Sequence, residues 1–227
     1  MTTELLETIE IETAAHPAAA VIWMHGLGAD GNDFASLVPA LDLRRLPGVR
    51  FIFPHAPMMP VTINNGSVMR AWYDVSFGDL EGHTRKADEK GVRASQTAID
   101  QLIAHENQRG IQARDIVLAG FSQGGAIALH TGLRYPERLA GILALSTYLP
   151  LADRLPAEAS SANKDLPIFL SHGTYDPVIP LAMAVASRAA LEKLGYRIEW
   201  HEYPMQHAVC PEEVQAIGLW LNRVLTR

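Results

Sequence analysis

The sequence is poor in cysteine and in charged side chains. Its 227 residues include one cysteine, Cys210, so the chain cannot form an internal disulfide, and a lone thiol is typical of a reducing compartment. Charged residues make up 19% of the chain, and 19 basic against 25 acidic residues give a formal charge of −6. Nucleic-acid-binding proteins carry a basic excess on one face, so we expect no nucleic-acid partner.

Long apolar runs are also lacking. Residues 1–4 show no basic start followed by an apolar stretch, which a secretory signal would need. No later run approaches the ~20 apolar residues that a membrane-spanning helix requires. Hydrophobic residues still make up 48% of the chain, enough for a sizeable core. These features predict a cytoplasmic protein without stable membrane insertion.

Short apolar runs alternate along the chain with longer segments of helical spacing. Continuous short apolar runs are typical of strands that are buried on both faces. The predicted strands are 8–12, 19–24, 49–53, 115–119, 140–145, 167–170 and 197–201. The predicted helices are 92–109, 123–134, 181–194 and 211–225. This alternation predicts a single α/β domain, 1–227, with a mostly parallel central sheet and helices on both faces.

Residues 56–90 fit neither the strand period nor the helix period. Glycine and proline interrupt the segment, yet it is rich in methionine, valine, isoleucine and tryptophan. A loop of this length without secondary structure is uncommon in a compact domain and is usually functional. We interpret it either as a loop folded onto the core or as a wall or lid of a substrate site.

The most informative motif is GFSQG at residues 120–124. It matches G-x-S-x-G and stands between a predicted strand and a predicted helix. This pattern places the serine on a sharp strand-to-helix turn, where the glycines relieve crowding around a strained backbone. The start of the helix also favours a developing negative charge. The motif therefore predicts that Ser122 is a nucleophile.

A serine nucleophile needs a histidine base, and the base needs an acid that orients it. When the nucleophile lies on such a turn, the acid and then the histidine follow it along the chain. His207 lies in a loop after the last predicted strand, at the end of the sheet where ligands bind. The remaining histidines after the serine lie within a predicted helix or strand, or precede the acid: His130, His172 and His201. The order along the chain therefore favours His207 as the base.

The best candidate for the acid is Asp176. It follows the predicted strand 167–170 in the sequence HGTYDP, at residues 172–177. Asp153 and Asp165 lack this position and are interpreted as solvated charges. We therefore predict Asp176 as the residue that orients His207.

A competing motif is GLGADG at residues 26–31, which matches the dinucleotide-binding pattern G-x-G-x-x-G. That function requires an acidic residue about twenty positions further on, but residues 43–57 contain no aspartate or glutamate. A glycine-flanked backbone at this strand end is instead suited to an oxyanion hole. We predict that the backbone N–H groups of Leu27 and Gln123 form it.

Seven sequence blocks together resemble one known family. They are HGLG at 25–28, FPHAP at 53–57, AWYD at 71–74, GFSQG at 120–124, LSTY at 145–148, HGTYD at 172–176 and YPMQH at 203–207. In this order they resemble the carboxylesterases and acyl-protein thioesterases, a family of small α/β-hydrolases. The resemblance implies the α/β-hydrolase fold and a triad of Ser122, His207 and Asp176.

The resemblance also implies a substrate pocket. In the family, the residues that match Trp72, Tyr148 and Val178 help to wall an acyl pocket. One departure is Gln206, since the family usually has glycine immediately before the histidine. This departure leaves the fine substrate preference open.

The sequence predicts a serine hydrolase that cleaves carboxylic esters of short to medium acyl chains through an acyl-enzyme. Ile63 and Met69, in the apolar part of residues 56–90, are expected to line the acyl groove. One alternative is an acyl-protein thioesterase or lysophospholipase that acts on longer chains. An alternative of another class is a non-catalytic ligand-binding protein on the same fold.

No cofactor is expected, because the predicted chemistry needs only side chains and backbone amides. No metal site is expected either, because the scattered histidines lack ligand spacing. The expected partner is a small-molecule or lipid acyl ester. A homodimer is left open.

Overall fold

The computed structural model of the protein describes residues 5–76 and 88–226, and nine strands lie within them. In chain order the strands are β1 (Thr8–Glu12), β2 (Ala19–Met24), β3 (Val49–Pro54), β4 (Met58–Val61), β5 (Ser67–Arg70), β6 (Ile116–Phe121), β7 (Gly141–Leu145), β8 (Ile168–Gly173) and β9 (Ile198–Tyr203). Seven of them form the central sheet, in the order β1-β3-β2-β6-β7-β8-β9. β4 and β5 form a separate hairpin.

The central sheet is almost entirely parallel. Only β1 and β3 pair antiparallel, at one edge. The pairs from β3 through β2, β6, β7 and β8 to β9 are all parallel. The predicted mostly parallel sheet is therefore confirmed, and it is the sheet of an α/β-hydrolase fold.

Helices cover both faces of the sheet. They are α1 (Glu89–Gln108), α2 (Gln123–Gly132), α3 (Leu155–Glu158), α4 (Leu181–Lys193) and α5 (Pro211–Leu225). Short 3₁₀ helices lie at Ala35–Leu41, Thr62–Asn64, Ala113–Asp115 and Ser161–Asn163. Between residues 5 and 76 and between 88 and 226, no helix is both long enough and apolar enough to cross a membrane.

The two hydrophobic layers follow from the alternation of side chains along the buried strands. In β2, Ile22 and Met24 pack in the layer that contains α1, α2 and α4. Val21 and Trp23 point the other way and pack in the layer that contains α5 and the 3₁₀ helix Ala35–Leu41. Continuous apolar sequence was the correct signal for these strands, because both of their faces are buried.

The hairpin is where the structure differs from the sequence prediction, which expected no strand in residues 56–90. β4 pairs antiparallel with β5, and the turn contains Asn65 and Gly66, whose φ values of 55° and 75° lie in the left-handed region. Met58 and Val68 are 59% and 63% exposed, so apolar residues do not mark a buried face here. The part of the predicted wall or lid at 77–87 lies outside the described residues.

The carboxyl ends of the parallel strands lie along one edge of the sheet. The segments after β2, β6, β8 and β9 therefore meet at this edge, although they are distant in sequence. These segments carry every residue that was predicted for catalysis or for the oxyanion hole.

Candidate active site

The turn between β6 and α2 holds Ser122 in a strained conformation. Its φ of 54° and ψ of −121° are unusual for a residue with a side chain. A Cβ atom on Gly120 would collide with the backbone of Gly124, and a Cβ atom on Gly124 would collide with the Met24 carbonyl. Both glycines of the motif are therefore required by close backbone contacts. The turn presents the Ser122 hydroxyl above the end of the sheet.

A continuous chain of hydrogen bonds joins Ser122, His207 and Asp176. The distance from Ser122 Oγ to His207 Nε2 is 2.9 Å, and that from His207 Nδ1 to Asp176 Oδ2 is 2.7 Å. With Nδ1–H donating to the carboxylate, Nε2 is left to accept the serine proton. The Phe121 ring packs beside the imidazole at 4.7 Å between centroids. The structure thus brings the three predicted residues together, with the histidine between the serine and the acid.

The loop after β8 fixes the Asp176 carboxylate. Its Oδ1 accepts hydrogen bonds from the backbone N–H groups of Val178 and Ile179, at 2.8 and 2.9 Å. The side chain is fully buried. His172 lies beneath it, with Nε2 donating to the Ile179 carbonyl at 2.8 Å, and burial lowers the pKa of this histidine. The carboxylate therefore has a single orientation, with Oδ2 directed at His207.

The loop that carries His207 is fastened to the same strand end. The N–H of Thr174 donates to the Tyr203 carbonyl at 2.8 Å, and the N–H of Tyr175 donates to the Met205 carbonyl at 3.1 Å. Gln206, the departure from the family pattern, is exposed, and its φ lies outside the left-handed region. The loop therefore does not need glycine at this position.

The two predicted oxyanion donors lie on neighbouring segments. Leu27 follows β2, and Gln123 is the first residue of α2, packed against the end of β2 through Gly124. Neither amide donates to a backbone carbonyl in the part of the chain that the structure describes. Gly28 has a φ of 77°, and its N–H donates to the Arg70 carbonyl of β5 at 2.9 Å. The hairpin thus supports the loop that carries the Leu27 amide.

The five predicted pocket residues have very different surroundings. Met69 on β5 is half-buried, and its sulfur accepts a hydrogen bond from Asn64 Nδ2 at 3.1 Å. Val178 is 46% exposed beside the Asp176 loop, whereas Trp72 is only 2% exposed. Tyr148 is buried, with its hydroxyl 2.8 Å from that of Tyr73, and Ile63 packs partly against the core. Of the five, Val178 has the largest exposed fraction, and Trp72 is almost completely buried.

Two of the histidines that the sequence analysis set aside, His130 and His201, have other surroundings. His130 is fully buried in α2, with Nε2 3.0 Å from Gln96, and burial lowers its pKa to about 3. His201 stacks on Phe169 on a face of the sheet. Among residues 5–76 and 88–226, no three histidine, cysteine or acidic side chains are grouped to hold a metal ion.

The sequence analysis did not identify two residues that support the site, His25 and Thr147. His25 is 1% exposed, with Nδ1 donating to the Gly26 carbonyl at 2.7 Å and Nε2 accepting from the Ala56 N–H at 3.0 Å. Burial lowers its pKa, which agrees with a neutral ring. Thr147 donates to the Ser122 carbonyl at 2.6 Å. Both residues stand in the family-like blocks, but nothing in their local sequence indicates what they contact.

The fold, the strained serine turn and the residues around it define an α/β-hydrolase. Residues 6–225 match the family model described as phospholipase/carboxylesterase. This chain belongs to that family, and it is a hydrolase.

Individual relatives agree with this family. Acyl-protein thioesterase 1 of Neurospora crassa is 41% identical over 225 residues, which cover 96% of this chain and 91% of that protein. Among solved structures, Arabidopsis thaliana SOBER1 has a TM-score of 0.84 at 30% identity, covering 92% of this chain and 99% of that one. Zea mays acyl-protein thioesterase 2 has a TM-score of 0.83 at 27% identity, covering 97% and 99%.

Proposed function

We propose that this protein is an acyl-protein thioesterase, which cleaves the thioester between a long acyl chain and a cysteine of a protein substrate. The observation that carries the proposal is the hydrogen-bonded chain from Ser122 through His207 to Asp176. The thioester substrate is favoured by the relatives named acyl-protein thioesterase 1, of which the Neurospora crassa protein is 41% identical to this chain. The relatives thus favour the longer-chain alternative over the ester substrates that were expected first.

In the proposed mechanism, Ser122 attacks the acyl carbon while His207 Nε2 accepts the hydroxyl proton. The imidazolium that forms is stabilised by the buried Asp176 carboxylate at Nδ1. The buried carboxylate also keeps the imidazole in the orientation that faces the serine. The hydroxyl is a poor nucleophile without this base.

The carbonyl oxygen becomes negatively charged when the serine adds. The amides of Leu27 and Gln123 are the proposed donors to this oxygen, and each such donor is worth roughly 2.7–4 kcal/mol in acyl transfer. His207 then returns its proton to the departing thiol. Water, activated by the same histidine, releases the acid from Ser122.

The exposed apolar side chains around the site suit an acyl chain. Val178 and Tyr175 border the Asp176 loop, and Met58 and Val68 belong to the hairpin that supports the Gly28 loop. Each methylene that leaves water on such a surface contributes ~0.8 kcal/mol, or roughly fourfold in the specificity constant. A long chain therefore gains more from this surface than an acetyl group does.

The test compares matched peptides that carry the same acyl group on cysteine or on serine. We expect kcat/KM to be higher for the thioester, and to rise from acetyl through octanoyl to palmitoyl. A maximum at short oxygen esters would contradict the proposal and support the carboxylesterase interpretation. Faster turnover of a lysophospholipid than of either peptide would contradict it in favour of a lipid substrate.

A separate experiment tests the non-catalytic alternative. A fluorophosphonate probe reacts with a serine hydroxyl only when a base activates it. We expect stoichiometric labelling of Ser122 and none in Ser122→Ala. Absence of labelling in the folded wild-type protein would support a binding protein.

A further inference from the structure

The two proposed oxyanion donors belong to segments that are far apart in sequence. The Leu27 amide follows β2 and the Gln123 amide begins α2. Donors stabilise an oxyanion only when both lie about 2.7–3.1 Å from the position it occupies. The pairing of β2 with β6 and the packing of Gly124 against the Met24 carbonyl already bring the two segments together. The finer spacing between the two amides is left to contacts beyond the strand ends.

Trp72 makes a hydrogen bond to each of these segments. Its backbone N–H donates to Gln123 Oε1 at 2.8 Å, and its indole Nε1–H donates to the His25 carbonyl at 2.9 Å. The tryptophan is 2% exposed and Gln123 is 4% exposed, so water does not compete strongly for either bond. One residue thus joins the start of α2, next to the Ser122 turn, to the end of β2.

The surrounding contacts hold Trp72 itself in place. The amide Nε2 of Gln123 donates to the Tyr73 carbonyl at 2.7 Å, so the glutamine side chain holds two successive backbone groups. On the opposite side, the hydroxyl of Ser95 on α1 donates to the Trp72 carbonyl. The His25 ring lies against the indole, with 5.4 Å between centroids.

We infer that Trp72 is a positioning residue for the oxyanion hole, which sets the spacing between the Leu27 and Gln123 amides. This inference rests on the proposed function, because it deepens the account of the same site. It assigns Trp72 a role different from that of a pocket wall. The residue acts through the two segments and does not touch the substrate.

The predicted consequence is selective for the transition state. Loosening the spacing weakens the hydrogen bonds to the oxyanion, which forms only during reaction, and leaves the acyl chain bound as before. The expected change is therefore a lower kcat with little change in KM. A defect of folding alone would lower the amount of active protein without changing the affinity of the active fraction for inhibitors.

The test replaces Trp72 with benzothienylalanine by amber suppression, which keeps the ring shape but removes the indole N–H. We expect kcat for a thioester to fall about tenfold with KM within about twofold. Affinity for an alkyl boronic acid, whose tetrahedral adduct on Ser122 mimics the oxyanion, should fall by a similar factor. The melting temperature and the active fraction, titrated with fluorophosphonate, are measured alongside.

The matched control is benzothienylalanine at Trp200, whose indole N–H donates to Glu202 at 2.9 Å in an exposed pair on β9. This variant should retain wild-type kcat and boronate affinity. Gln123→Met is the second test variant, because it removes both side-chain bonds and keeps the backbone amide, and we expect the same kcat-selective loss. Wild-type kcat and boronate affinity in either folded test variant would overturn the inference.

The two possible failures are distinguishable. If wild-type protein does not hydrolyse thioesters, the proposed function fails. If wild-type protein hydrolyses them and the folded position-72 variant does so equally fast, only the inference about Trp72 fails.

Discussion

The reaction centre consists of Ser122, His207 and Asp176, and the apolar rim around it consists of the exposed side chains Met58, Val68, Tyr175 and Val178. The two regions are built in opposite ways. At the centre, the side chains of Ser122, His207 and Asp176 each have a hydrogen-bond partner at 2.9 Å or less, and Asp176 is fully buried. At the rim, Val68 and Tyr175 are 63% and 69% exposed. Directional bonds in a buried site fix geometry, whereas an exposed apolar surface contributes by area alone. Changes at the centre should therefore affect all substrates, and changes at the rim should alter the choice among them.

The largest effect is expected from Ser122→Ala, which removes the proposed nucleophile. Turnover of every acyl substrate should fall at least about a thousandfold, because the variant lacks the hydroxyl that forms the acyl-enzyme. The matched control is Ser146→Ala, which alters another buried serine with positive φ, 46°, and a hydroxyl without a partner among the described residues. Steady-state hydrolysis and the melting temperature are measured for both. Loss of activity in Ser146→Ala alone would contradict the assignment.

The next largest effect is expected from Asp176→Asn. The amide cannot stabilise the imidazolium, and it permits the wrong tautomer of His207, so kcat should fall by about a thousandfold or more. Asp165→Asn alters an exposed carboxylate and should leave kcat unchanged. Similar, mild losses in both variants would place the acid elsewhere.

Glu213 extends the comparison to α5, the helix that follows the His207 loop. It lies on α5, six positions after His207, and its side chain is fully buried. Burial raises its pKa from 4.5 to about 7. The folded state therefore prefers the protonated form. The stability that this group contributes is fully present below pH 4.5 and is lost as pH rises through about 7.

The predicted effect is on stability rather than on substrate choice. Wild type should lose on the order of 3 kcal/mol of unfolding free energy relative to Glu213→Gln between pH 4.5 and pH 8. Urea unfolding at both pH values gives this difference. Glu212→Gln, at the exposed neighbouring position, should behave as wild type. A constant difference between wild type and Glu213→Gln across this range would show that Glu213 does not titrate as predicted.

The smallest effect is expected at the rim. Val178→Thr replaces a methyl group by a hydroxyl, and it should lower kcat/KM for palmitoyl thioesters a few-fold more than for acetyl thioesters. Val185→Thr is the matched control, since Val185 is also 46% exposed but lies on α4. Equal losses on both chain lengths in Val178→Thr would mean that the side chain supports the Asp176 loop instead of the acyl chain.

Local sequence patterns were enough to select the three residues that the structure brings into contact at the centre. The glycines around Ser122 are required by contacts with nearby backbone. Asp176 follows the apolar run of β8, and His207 follows β9, in which apolar and polar residues alternate. The hairpin was missed because Met58 and Val68 are exposed, so the alternation that marks a half-buried strand is absent. Its best signal was the turn sequence Asn65-Gly66, a pair that is typical of hairpins.

The support behind the site could not be predicted in the same way. The contacts of Trp72 reach His25 and Gln123, which are 47 and 51 positions away in sequence. No periodicity or motif within one segment encodes such pairs. The resemblance implied a pocket wall at Trp72, and the inference of a positioning role rests instead on its contacts in the structure.

The most direct test of the central claim is to trap the acyl-enzyme. Wild-type protein is mixed with an S-palmitoyl peptide, quenched in acid within milliseconds and digested for mass spectrometry. We predict a palmitoyl adduct on the peptide that contains Ser122, formed no more slowly than kcat, and no adduct in Ser122→Ala. Steady thioester hydrolysis without an adduct, and with undiminished turnover in Ser122→Ala, would contradict the account.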